Sequence, residues 1–200
     1  PTKEVSNWST KTYKGLTTLR EAIWDSMNIV TVKTLEKVTP QVGYDYLLKL
    51  GFTTLVENRN GFSDIHHPLA LGGITDGITN LELTAAYAAI ANSGTYTEPI
   101  FYTKILDHDN KILLEKEPDS EQVMKESTAW LLTSAMEDVV KIGTGTLTRF
   151  KNINIPIAGK TGTTSDNYDL WFSGYTPYYT ASIWSGFDNN RYQTNKSYHK

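Results

Sequence analysis

Apolar residues recur at helical spacing near the start of the chain. Leu16, Leu19 and Ile23, followed by Val32 and Leu35, predict two helices interrupted near residues 25–28. The stretch QVGYDYLLKLGF continues the helical pattern up to Gly51, a residue suited to the position just past a helix end. Residues 53–78 hold Gly61, Pro68, Gly72, Gly73 and Gly77 and read as one long loop, which in a compact domain tends to be functional. Thr79-Asn80-Leu81-Glu82 has the spacing of a capping box and opens an alanine-rich helix that Gly94 ends. Alternation around Asp109-Asn110 predicts a hairpin. ESTAWLLTSAMEDVVKIG predicts a helix with its apolar stripe on Trp130, Leu131, Ser134 and Val139. Three strand-like runs close the chain, at 157–163, 169–176 and 179–187, with short turns that make them an antiparallel meander. Residues 1–15 are a polar, irregular lead-in and 188–200 a polar tail, so the expectation is one α+β domain over 1–200.

Bulk properties narrow the function. Hydrophobic residues are 39% and charged residues 20% of 200, ordinary for a soluble globular chain. The 19 Lys+Arg against 22 Asp+Glu give a net charge of −3 without a basic run, so no nucleic-acid partner is expected. The absence of cysteine excludes thiol catalysis, disulfides and cysteine metal sites. The longest apolar stretch, 83–91, is far shorter than the ~20 residues that span a bilayer. No signal peptide opens the chain and Pro1 is not a natural start, so it reads as a soluble piece of a longer protein.

IPIAGKTGTTSD, residues 155–166, carries the chemistry. Gly159-Lys160-Thr161 fails as a phosphate loop: the glycine required five residues before Gly159 is Asn154, the flanks read as strand, and no helix follows. Lys-Thr-Gly on a strand is instead the third element of the penicillin-handling serine acyl-transferases, whose set is S-x-x-K, S-x-N and K-T-G. A lysine ammonium beside the hydroxyls of Thr161 and Thr163 suits capture of a carboxylate by charge-assisted hydrogen bonds. Gly162 lets a ligand approach the strand edge, and the amide of Thr163 can face a developing oxyanion. A bare K-T-G arises by chance in roughly 4% of chains of this length, so its strand setting matters. Two S-x-N triplets accompany it, Ser26-Met27-Asn28 and Ser165-Asp166-Asn167. Ser165 would sit about 16 Å along the strand from Lys160, and Asp166-Asn167 reads as turn chemistry. Ser26 and Asn28, at the break between helices, are therefore preferred.

TLREAIWDSMNIVTVKTLEKV, LALGGITDGITNLELTAAYAAIANSGTYTEPIFYTKILDHDNKILLE, GTGTLTRF and AGKTGTTSDNYDLWFSGYTPYYTASIWSGFD together cover most of residues 15–188. In these blocks the chain resembles the C-terminal two-thirds of the transpeptidase domain of class A, bifunctional penicillin-binding proteins. The resemblance implies a β-lactamase-like fold, here incomplete: an antiparallel sheet flanked by helices. It implies Ser26, Asn28 and Lys160 as catalytic residues, with Ser26 relaying protons and Asn28 holding the substrate amide. It also implies Thr161, Gly162 and Thr163 as the substrate and oxyanion edge, peptidoglycan stem peptides and β-lactams as partners, and no cofactor or metal. The parent would sit at the outer face of the bacterial cytoplasmic membrane. Trp24, beside the S-x-N, is a candidate for the cleft lining.

The acylating serine of S-x-x-K is missing. Its one match, Ser197-Tyr198-His199-Lys200, lies in the terminal tail, where no buried helix can start. The expectation is that the nucleophile belongs to a preceding, absent part of the same protein, so that this chain alone does not acylate. The strand at 179–187 should then have a free edge open to pairing with another chain. Several other groups invite bland readings. His66-His67 are loop polars, and Asp107, His108 and Asp109 sit on a hairpin turn rather than in a metal site. Trp171, Phe172, Tyr175, Tyr178, Tyr179 and Trp184 pack in the core, and Gly143-Thr144-Gly145-Thr146 is a helix stop and new cap. Two rivals remain. A β-lactamase or D,D-carboxypeptidase would pass the acyl group to water, with Glu57 near Asn58 and Asn60 as a strained candidate acid. A non-catalytic sensor module would bind ligand reversibly.

Overall fold

The computed structural model describes residues 4–8, 13–189 and 193. The first helical hairpin comprises α1 (Leu19–Trp24), α2 (Asn28–Val38) and α3 (Pro40–Lys49). Thr18 caps α1 by accepting from the Glu21 amide at 3.1 Å, and Arg20 ties α1 to Ser134 and Asp138 farther along the chain. Pro40 opens α3 at the position where a missing N–H is harmless, and Gly51 follows it at φ +83°. The capping box at Thr79 and Glu82 forms as expected and starts α4 (Asn80–Ala91).

The region 53–78 is a loop, interrupted by a 3₁₀ turn at His67–Leu71. Its organising residue is Asp64, whose carboxylate is fully buried and accepts from Val56 N, Thr75 N and Thr75 Oγ1 at 2.6–2.8 Å. Burial alone would push this carboxyl up, but those hydrogen bonds outweigh it and hold it below the usual range.

The strands form three small sheets among the described residues. β1 (Thr95–Thr97) pairs with β4 (Ser120–Gln122), a contact the local pattern did not announce. β2 (Lys104–Leu106) and β3 (Ile112–Glu115) form the expected hairpin, with Asn110 at φ +62° in its turn. α5 (Glu126–Lys141) precedes the meander of β5 (Ala158–Thr163), β6 (Asp169–Tyr175) and β7 (Thr180–Gly186), ordered β5-β6-β7 and antiparallel throughout. The core lies between α5, α4 and one face of this sheet: Met136, Ala158 and Tyr175, with Ile23, Tyr87, Ile90 and Leu132 against them.

Two expectations need correction. The inward stripe of α5 is Ala129, Ala135, Met136, Val139 and Val140, whereas Trp130 and Leu131 are 66% and 61% exposed. The helix is apolar on two sides, and bulk alone pointed to the wrong one. Of the six aromatic residues expected in the core, Tyr175 is buried, Trp171 and Phe172 are half-buried, Trp184 on β7 is exposed, and Tyr178 and Tyr179 project from the β6–β7 turn. β7 stands at the sheet border: among the described residues no strand pairs with its outer side, although the Gln193 side chain hydrogen-bonds Ser185. No helix among the described residues is long and apolar enough to cross a membrane.

Candidate active site

Lys160 and Ser26 are 134 residues apart in sequence, and their side chains meet: Nζ donates to Ser26 Oγ at 2.7 Å. A second Nζ proton goes to the Thr161 carbonyl at 2.9 Å. Among the described residues no carboxylate is bonded to this ammonium, and burial lowers the Lys160 amine to about 8. Such a cation, half-buried and without a counterion, is suited to an anionic ligand.

Ser26 reaches Lys160 because of how α1 ends. Its amide bonds Ile23 O at 3.3 Å, and the next amide, Met27 N, bonds Ala22 O at 2.9 Å. This is the double hydrogen-bond pattern of a Schellman stop, whose left-handed residue is usually glycine. Here that residue is Ser26, at φ +54°. A left-handed L-residue costs about 1–2 kcal/mol, and such strain gathers at functional positions. Met27 and Ala22, the two residues that the second of those bonds joins, are both buried.

Asn28 begins α2, and its Nδ2 donates to Ser6 O at 2.9 Å. Met27, at the capping position of α2, offers no side-chain acceptor; Asn7 Oδ1 takes the Ile29 amide at 3.2 Å instead. Trp8 Nε1 also bonds Asp25 O at 2.9 Å. Residues 6–8, expected as a plain lead-in, thus lie across the helix break and hold it.

The β5 edge separates two hollows that share Lys160, Thr161, Gly162 and Thr163. One runs under the glycine-bearing loop past Gly72, Gly73 and Gly77 to Trp171 and Trp184. The other, a cavity of about 560 Å³, is walled by Ser26 and Asn28 and by apolar Ile23, Tyr87, Leu132 and Met136. Trp24 borders neither; its ring lies beneath Lys14 Nζ at 5.9 Å. Glu57 is exposed and also borders neither. Ser165–Asn167 forms a tight turn, with Asp166 and Asn167 at φ +58° and +57°. Asp107, His108 and Asp109 do cluster, but at the hairpin turn, where Asp107 Oδ1 already accepts two backbone amides. Ser197–Lys200 lies outside the described residues.

Thr144, read from the sequence only as part of a helix stop and new cap, is a site contact. The helix stop at Gly143 forms, and the turn behind it bonds both the Trp24 carbonyl and the Thr161 hydroxyl. Its signal in the sequence was the glycine pair around it.

A family model for the penicillin binding protein transpeptidase domain matches residues 1–197. Penicillin-binding protein 1A of Clostridium botulinum is 36% identical over 179 residues, covering 89% of this chain and 21% of the relative. Penicillin-binding protein 4 of Bacillus subtilis is 39% identical over 183 residues, covering 91% of this chain and 28% of the relative. The crystal structure of penicillin-binding protein 1A from Haemophilus influenzae aligns with a TM-score of 0.80 at 22% identity, over 96% of this chain and 33% of that one. PonA1 from Mycobacterium tuberculosis aligns with a TM-score of 0.78 at 24% identity, over 93% of this chain and 51% of that one. These two likenesses bear on the fold, while the two curated relatives are several times longer than the chain.

Proposed function

Since the chain belongs to the penicillin-binding protein transpeptidase domain family, we propose that it forms the substrate-gripping half of a serine acyl-transfer site that cross-links peptidoglycan. The observation that carries this reading is the 2.7 Å contact between Lys160 Nζ and Ser26 Oγ at the mouth of an apolar hollow. The chemistry is transfer of an acyl group from a D-Ala-D-Ala stem peptide to an amine of a neighbouring strand. A serine oxygen bonds to the penultimate carbonyl, the terminal D-alanine departs carrying a proton, and the incoming amine then displaces the serine.

The roles are those the family resemblance implies, and the Lys160–Ser26 contact supports them. Lys160, Thr161 and Thr163 hold the donor's terminal carboxylate along the β5 edge. Ser26, hydrogen-bonded to Lys160, passes protons between that lysine and the reacting centre. Asn28, with its Nδ2 on Ser6, turns Oδ1 to the N–H of the donor peptide. The Thr163 amide stabilises the oxyanion. The nucleophile is assigned to an S-x-x-K helix elsewhere in the parent, in keeping with relatives of which this chain covers 21–28%. β-Lactams would react at the same serine, and the parent would act at the outer face of the bacterial cytoplasmic membrane.

The test is covalent labelling with a fluorescent penicillin. The intact parent should be labelled at a serine outside these 200 residues and release the label slowly, while the chain alone stays unlabelled. Label on a serine of this chain, rapid hydrolytic release, or an unlabelled parent would each overturn the reading.

A further inference from the structure

The turn after α5 meets the site from behind. Ile142 N and Gly143 N both bond Asp138 O, and Gly145 N bonds Val139 O, so the turn is fixed to the end of its helix. A Cβ on Gly143 would run into the Trp24 carbonyl oxygen, so the turn lies flush against the backbone two residues before Ser26. Thr144 N then donates to that same carbonyl at 3.2 Å. On its other side, Thr144 Oγ1 lies 2.7 Å from Thr161 Oγ1. Thr144 is therefore placed by backbone contacts, with its hydroxyl delivered to the second residue of the Lys-Thr-Gly edge.

We propose that Thr144 is a positioning residue for carboxylate capture: its hydroxyl donates to Thr161 and so commits the Thr161 proton to the ligand. The inference rests on the reading of Lys160, Thr161 and Thr163 as the carboxylate grip. Each hydroxyl has one proton, and in the empty site the pair can be donor and acceptor in either order. An anion changes that. Once Thr161 donates to the carboxylate, the pair keeps its own bond only with Thr144 as donor. The resulting chain, Thr144 to Thr161 to carboxylate, runs in one direction, and each bond polarises the next. Thr144 does not touch the substrate and acts through Thr161.

The experiment uses the intact transpeptidase and two ligands, a penicillin with its free carboxylate and the methyl ester of the same penicillin. The reading is the second-order rate constant of acylation. Thr144→Val keeps the shape and removes the donor; it should slow the free-carboxylate penicillin about tenfold, most of the worth of the charge-assisted bond that Thr161 makes to the carboxylate and Thr144 orients, and leave the ester within about twofold. Thr144→Ser should restore the rate. In a Thr161→Val background, adding Thr144→Val should change nothing further, which also separates this role from general damage to the fold. Equal slowing of acid and ester, no slowing of the acid, failure of serine to rescue, or further slowing in the Thr161→Val background would overturn the proposal. A wild-type protein that no penicillin acylates would instead sink the carboxylate-grip reading beneath it.

Discussion

Replacing Ser26 by glycine and, separately, by alanine disentangles backbone strain from chemistry at the α1–α2 junction. Both variants delete the hydroxyl that accepts from Lys160, so both lose the same 2.7 Å contact. They differ in the backbone. At φ +54° alanine keeps the left-handed penalty of about 1–2 kcal/mol, which glycine removes. Glycine gives back roughly 0.5–1 kcal/mol through the greater freedom of its unfolded chain. The net expectation is that Ser26→Gly is more stable than Ser26→Ala by about 1 kcal/mol, or roughly 2–4 °C in Tm for a domain of this size. Penicillin acylation of the intact protein should fall to a similar extent in both. Thermal denaturation of the two variants in one buffer, with acylation rates in parallel, decides the matter. If alanine is as stable as glycine, Ser26 is not held in a strained stop. If acylation survives in either, the hydroxyl is not part of the chemistry.

Other perturbations probe the loop, the lysine and the turn behind the site. Asp64→Asn removes one charge-assisted bond and weakens two, about 2–4 kcal/mol, so hydrogen exchange at Val56 and Thr75 should quicken roughly 30- to 1,000-fold; unchanged protection would refute its clamping role. Because the folded-state carboxyl lies below its ordinary range, that stability is complete above about pH 4 and is lost as pH falls through the folded value. The stability gap between wild type and Asp64→Asn should therefore shrink in acid. Lys160 has the opposite sense: with its amine lowered to about 8, the cation that grips a carboxylate is lost as pH rises past that value. Acylation by a carboxylate-bearing penicillin should decline above about pH 8, and Lys160→Arg should remove that limb; a flat profile to about pH 10 would contradict it. Gly143→Ala drives a Cβ into the Trp24 backbone, a clash that no side-chain motion relieves, and should lower stability by about 1–3 kcal/mol or more in a denaturation midpoint.

Much of the scaffold was legible where structure is set locally. The Thr79/Glu82 capping box, the Asp109-Asn110 hairpin, Gly51 as a helix stop and the closing meander each depend on a few adjacent residues, and each formed. The Lys-Thr-Gly strand and the helix break at Ser26 were legible too, one from chemistry on an alternating run and one from a lapse in periodicity. What escaped depends on partners distant in sequence. Asp64 looks like any loop acid until Val56 and Thr75 close around it. Asn7 caps α2 by accepting from an amide 22 residues further on, and nothing near it in sequence says so. β1 and β4 are three residues each and carry no alternation long enough to detect. Ser26 in a glycine's place is invisible without the backbone, because its sequence neighbourhood reads equally well as an ordinary helix junction.

Lys160 and Ser26 are assigned to act as one unit, and a double-mutant cycle on the acylation rate of the intact protein measures that coupling. Ser26→Ala, Lys160→Ala and the double variant are compared with wild type under one set of conditions. A shared function predicts that the double variant is about as slow as the slower single one, a coupling of at least roughly 1 kcal/mol. Independent, additive losses would contradict it.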